Sequence, residues 1–119
     1  MKRNLKLAST AILLLAAPLA FPCDYPQRAA VPDGKTATKQ EMIDGQKAVK
    51  AYMAGVEDYL ACIEAAENDA VEKLQEPTEE VLQQRTDVLN KKHNAAVEEM
   101  EIVAAQFNNE VRAYKAQTE

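Results

Sequence analysis

The chain has very little of what enzymes usually use. Its 119 residues contain one histidine, no tryptophan, two cysteines and three glycines. Ser9 is the only serine, and it lies in an apolar stretch near the amino terminus, so a serine nucleophile is excluded from the rest of the chain. With three scattered glycines there is no loop to cradle a phosphate, and the two cysteines are too far apart in sequence for a paired redox motif. A helical Glu-x-x-His di-metal motif is absent too, because Asn90 stands three residues before His93. These absences point away from catalysis and toward a non-enzymatic protein with no cofactor.

A long apolar run is also lacking. Lys2, Arg3 and Lys6 precede the apolar residues 7–17, then Pro18, Leu19 and Ala20. A membrane span needs about 20 apolar residues, so the pattern reads as a secretory signal covering residues 1–20. Cleavage is expected after Ala20, although Pro18 occupies a position that favours a small residue; a retained anchor is the alternative. Losing Lys2, Arg3 and Lys6 from the fourteen basic residues leaves eleven against nineteen acids, a net charge near −8. Such a chain is a poor match for nucleic acid or an anionic membrane surface. A basic protein or a cation is the easier electrostatic partner.

Cys23 and Cys62 both survive this cleavage. Two cysteines in an exported chain are read first as one disulfide. Lipidation of Cys23 would need a small residue before it, where Pro22 stands. A free thiol or an intermolecular bridge is the remaining reading.

What the chain does have is helical periodicity. Residues 21–37, with Pro22, Pro26 and the turn-forming Pro32-Asp33-Gly34, read as an extended arm. Thr38 followed by Glu41 forms a capping box that opens a helix. Met42, Val49, Val56, Ile63 and Ala70 then recur every seven residues, the seam of an amphipathic helix with coiled-coil-like packing. Gly45 and Gly55 interrupt it at about 1 kcal/mol each relative to Ala; they read either as sites of close approach by the arm or a partner, or as sequence drift. Pro77 ends the first helix, and Thr78 with Glu79 and Glu80 opens a second. Its seam runs Leu82, Thr86, Leu89, His93, Ala96, Met100, Val103, Phe107, Glu110 and Tyr114.

The expected fold is therefore all-α. It is an antiparallel hairpin of two long helices, about 38–76 and 78–117, forming a domain over 38–119. Each helix would span about 54 Å, with Ile63 near Lys91, Val56 near Glu98, and Cys62 near Lys92 and His93. From Thr38 to Cys62 is about 36 Å of helix, and residues 23–38 reach about 50 Å when extended. An arm folded back along the hairpin can thus join Cys23 to Cys62, with Phe21, Tyr25 and Val31 covering the seam. In the loop-entropy model that bond is worth roughly 4 kcal/mol. Two Ala-rich helices bury little core, so pairing into a homodimer is a second expected source of stability.

Two features remain as candidate sites. His93 on the seam reads as a register-fixing polar residue, or as a metal ligand or pH switch beside Cys62. Between positions 57 and 80 nine acids face Lys73 alone. Glu64, Glu67, Asp69, Glu72, Glu76, Glu79 and Glu80 within this segment are candidates for docking a basic partner or for calcium, or are a solvated surface.

The stretch Asp87-Val88-Leu89-Asn90-Lys91-Lys92-His93 resembles the "D…LN…Y" segment of the LprI-type lysozyme-inhibitor family, small exported helical bacterial proteins with disulfides. It covers seven residues, His93 stands where that family has Tyr, and the cysteine spacing differs. The arm-plus-hairpin layout, with Cys23, Pro32-Asp33-Gly34 and Tyr59-Leu60-Ala61-Cys62, is similar to other small exported bacterial proteins of unknown function.

Three functions are expected from these readings. The first is protein–protein interaction or self-association in the periplasm or extracellular space. The second is inhibition of a basic, lysozyme-like cell-wall hydrolase through the acidic end. The third is metal or small-ligand binding.

Overall fold

A computed structural model describes residues 23–119. The proposed signal, its cleavage site and Phe21 lie outside the described residues. Two helices make up the regular structure, α1 over Lys39–Glu72 and α2 over Glu79–Thr118. At 34 and 40 residues they are about 51 and 60 Å long.

Both helices start where side chains can satisfy their first amides. At α1 the Thr38 Oγ1 accepts from the Glu41 amide at 3.2 Å, and the Glu41 carboxylate accepts from the Thr38 amide at 2.7 Å. This is the capping box that the spacing predicts. At α2 the Thr78 hydroxyl accepts from the Val81 amide at 3.2 Å.

The first helix stops four residues short of the expected end, at Glu72 rather than 76. Its last turn tightens, with the Leu74 amide donating to the Val71 carbonyl at 3.1 Å. Glu76 takes a left-handed conformation, φ 46°. A proline disfavours the right-handed helical region for the residue before it, so Pro77 acts on the chain ahead of its own position.

The helices pack antiparallel. Arg85 of α2 clasps Glu67 of α1 with two hydrogen bonds, at 2.7 and 3.1 Å. This places the register within two residues of the expected one. Val49, Tyr52, Val56, Ala96 and Val103 form the buried core, flanked by Met53, Leu60, Met100 and Phe107. Val56 and Val103 are wholly buried. His93 and Thr86, which the periodicity puts on the seam, are instead exposed. Thr86 turns its hydroxyl back to the Leu82 carbonyl at 3.0 Å.

Residues 23–37 are a third structural layer. Cys23 is bonded to Cys62, and from there the arm runs back along α1 toward its amino terminus. Ala29 and Val31 pack on the core, as expected for Val31. Pro26 lies on Gly55 and Pro32 on Gly45; a Cβ at Gly55 would stand 2.9 Å from the Pro26 ring, and one at Gly45 2.6 Å from the Pro32 ring. Of the two readings open for these glycines, close approach by the arm is the one observed. From position 62 to 45 the helix covers about 26 Å, and the arm matches it with nine residues at about 2.8 Å each. This is close to a polyproline-like rise.

The second helix holds the other side of the arm. Arg28 pairs with Glu99 at 2.9 Å and donates to Gln106 at 3.0 Å. The turn at Asp33 is closed by the Ala37 amide on the Asp33 carbonyl at 2.8 Å and the Lys35 amide on its side chain at 2.9 Å. Gly34 presses directly on the α2 backbone at Glu110. Its amide donates to the Glu110 carboxylate at 2.6 Å, and Gln117 donates to the Gly34 and Ala37 carbonyls at 2.6 and 3.0 Å. The arm thus fills the upper groove of the hairpin and is fastened at both ends.

Two outcomes follow for stability. Replacing both cysteines by serine should cost up to about 4 kcal/mol, the entropy of a 39-residue loop, measured as ΔG of urea unfolding; an unchanged ΔG contradicts the fastening. Gly45→Ala, which stabilises an ordinary helix by about 1 kcal/mol, should instead lower the melting temperature here because Pro32 occupies the space. A raised melting temperature would place the arm elsewhere.

Candidate interaction surface

The closed end of the hairpin carries the acids singled out above. The structure does not gather them into one cluster. Glu67 is engaged with Arg85, its side chain 22 % exposed. Asp69 pairs with Lys73 at 2.7 Å on the open surface, an i,i+4 pair worth a few tenths of a kcal/mol. Glu64, Glu72, Glu76, Glu79 and Glu80 are exposed. Positions 64, 69 and 72 point in different directions around α1, because successive residues turn by about 100°. Among the described residues no group of three or more His, Cys, Asp or Glu side chains is placed to hold a metal ion. With both sulfurs in the disulfide, the Cys62–His93 pairing weighed from sequence has no thiolate to offer.

A different surface lies along α2. Val81, Val88 and Ile102 are 39 %, 53 % and 40 % exposed, and Ala95 is exposed between them. The four recur every seven residues, each one position before a seam residue: Leu82, Leu89, Ala96 and Val103. Seven-residue spacing keeps them in one stripe on the helix. Sequence reasoning passed over this stripe. The signal was present in the same repeat, one step ahead of the core positions.

The stripe borders an open cleft of about 200 Å³ beside the disulfide, lined by Cys23, Tyr59, Ile63, Ala66, Glu67, Val88, Leu89 and Lys92. Next to it Tyr25 stands edge-on to Tyr59 at 5.0 Å and to Tyr52 at 6.5 Å between ring centroids. The Tyr25 and Tyr52 hydroxyls are 2.9 Å apart and hydrogen-bonded. This aromatic contact carries the arm across the seam just below the disulfide. Partial burial first, then the hydrogen bond to Tyr52, pushes the Tyr25 phenol up to about 12 from its ordinary 10.0.

No helix among the described residues is long and apolar enough to cross a membrane. No family model, curated protein or solved structure matches the chain.

The Tyr25 shift has a definite sign. The folded state favours the neutral phenol, so its contribution to stability is complete below about pH 10 and is lost as pH rises through about 12. Absorbance titration of the native protein should show one of the four tyrosines ionising near pH 12, and Tyr25→Phe should remove that late component. A late component that survives the substitution would contradict the assignment.

Proposed function

We propose that this chain is a non-enzymatic, exported helical protein that acts by protein–protein interaction, including self-association, through the exposed apolar stripe of α2. The observation that carries the reading is the stripe of Val81, Val88 and Ile102. These are large apolar side chains left open on a helix whose inner seam is already filled. Aligned apolar residues of this kind on a small domain mark a surface that another element covers. The rigid frame behind them fits the role, since a preorganised face loses less entropy on binding. Export is supported by the disulfide, which persists in oxidising compartments, and by the basic-then-apolar start of the chain. The location is therefore the periplasm or the extracellular space.

A second reading has one observation in its favour. Glu72, Glu76, Glu79 and Glu80 stand exposed together with Glu64 toward one end of the hairpin. A basic cell-wall hydrolase docked there would be bound in a salt-sensitive way.

Chemical cross-linking of the intact protein in its native compartment separates the two. Val88→Asp and Ile102→Asp should each abolish the cross-linked species while helical circular dichroism is unchanged. Cross-links that persist in both variants but vanish in Glu72→Gln/Glu79→Gln/Glu80→Gln would favour the acidic end and overturn the α2 reading.

A further inference from the structure

We infer that the occupant of the α2 face is a second copy of the same chain, laid antiparallel along α2 about a two-fold axis at Ala95. This rests on the α2 reading above and specifies its partner and register.

In a two-fold antiparallel pair, positions equally far before and after the axis face each other. With the axis at Ala95, Val88 lies seven residues before it and Ile102 seven after. Each Val88 then packs on the copy's Ile102. These are the two most exposed of the stripe's three large apolar side chains. The axis itself falls on alanine, whose small side chain lets two helix backbones come close. From 79 to 111 the two helices run side by side for roughly 50 Å.

Charge selects this arrangement over the others. Lys91 and Lys92 stand before Ala95, and Glu98 and Glu99 after it. Residues seven apart share a flank of the stripe, so Lys91 and Glu98 border one side, Lys92 and Glu99 the other. Antiparallel about Ala95, Lys91 meets the copy's Glu98 and Lys92 meets the copy's Glu99, twice each by symmetry. A parallel pair would set lysines against lysines and glutamates against glutamates. An antiparallel pair whose axis lies half a heptad nearer the tip, a slip of one full heptad, brings the lysines of the two copies together. Like charges placed face to face across an interface are strongly disfavoured. Lys91 and Glu98 take part in no ion pair within the chain among the described residues. Glu99 already holds Arg28 of the arm, so the second contact would join the arm to the interface.

Sedimentation velocity of the disulfide-intact protein at micromolar concentrations tests this. The expected result is a dimer that Lys91→Glu weakens about tenfold or more, and that Lys91→Glu with Glu98→Lys restores. A dimer indifferent to Lys91→Glu, or one not rescued by the double exchange, overturns the register. Monomer at every concentration overturns the dimer. In that case, if Val88→Asp still abolishes cross-links to a different protein, the α2 reading survives without its self-partner, and if it does not, both fall. Val88→Asp lies on an exposed position and should leave the unfolding transition of the monomer unchanged, so loss of the dimer is not confused with loss of the fold.

Discussion

The whole structure depends on where residues 23–37 are held. Two Ala-rich helices meeting along one seam bury only a handful of side chains, with Val56 and Val103 at the centre, and such small cores are marginal without a staple. The arm supplies the missing layer. Its upper end is fixed covalently at Cys62, and its lower end by the turn at Asp33 and the capping box that starts α1. Between those points the distances match: about 26 Å of helix against nine extended residues. Ahead of the turn at Asp33 the arm has no backbone hydrogen bonds of its own among the described residues. Its position follows from the two fixed ends, from two prolines seated on two glycines, and from Arg28 and Gly34 bonded to α2.

Much of this was legible in the amino-acid sequence because it is written in local rules. The capping box, the seven-residue seams and the turn residues each report on their own few neighbours, and both helices begin where their caps stand. The disulfide and the folded-back arm were legible as well, since only reach and compartment chemistry were needed. Gly45 and Gly55 were noticed but stayed ambiguous, because close approach depends on a segment distant in sequence. The early end of α1 is less legible, because the effect of Pro77 falls on the backbone of Glu76, ahead of the proline's own position. Contacts across the longest separations were the least visible. Glu110 reads as one more seam position, yet its carboxylate accepts the Gly34 amide, and Gln117, which donates to the Gly34 carbonyl, carries no local signal.

The candidate site was legible in a different way. The acidic segment drew attention as a run of like charge, but a run in sequence is spread around a helix in space, and Glu67 is turned inward to Arg85. The stripe on α2 sits one position from the core repeat and is built from the same residue types, so it blends into the seam when read as letters. It separates from the seam once burial divides Ala96 and Val103 from Ala95 and Ile102. The two lysines before Ala95 and the two glutamates after it then become a pattern with a direction rather than a solvated mixture. A hairpin fastened to its arm at both ends of residues 23–37 presents such a pattern from a preorganised frame.

The placement of the arm can be tested without perturbing the protein. Proton–proton Overhauser contacts between the Pro32 ring and the Gly45 α-protons, and between the Pro26 ring and those of Gly55, report directly on the seating of arm against helix. Both should be strong, since each proline ring occupies the space a Cβ on the glycine would take. Their absence in a sample with Cys23 and Cys62 bonded would mean that the arm hangs from the disulfide without filling the groove, and the three-layer account would fail.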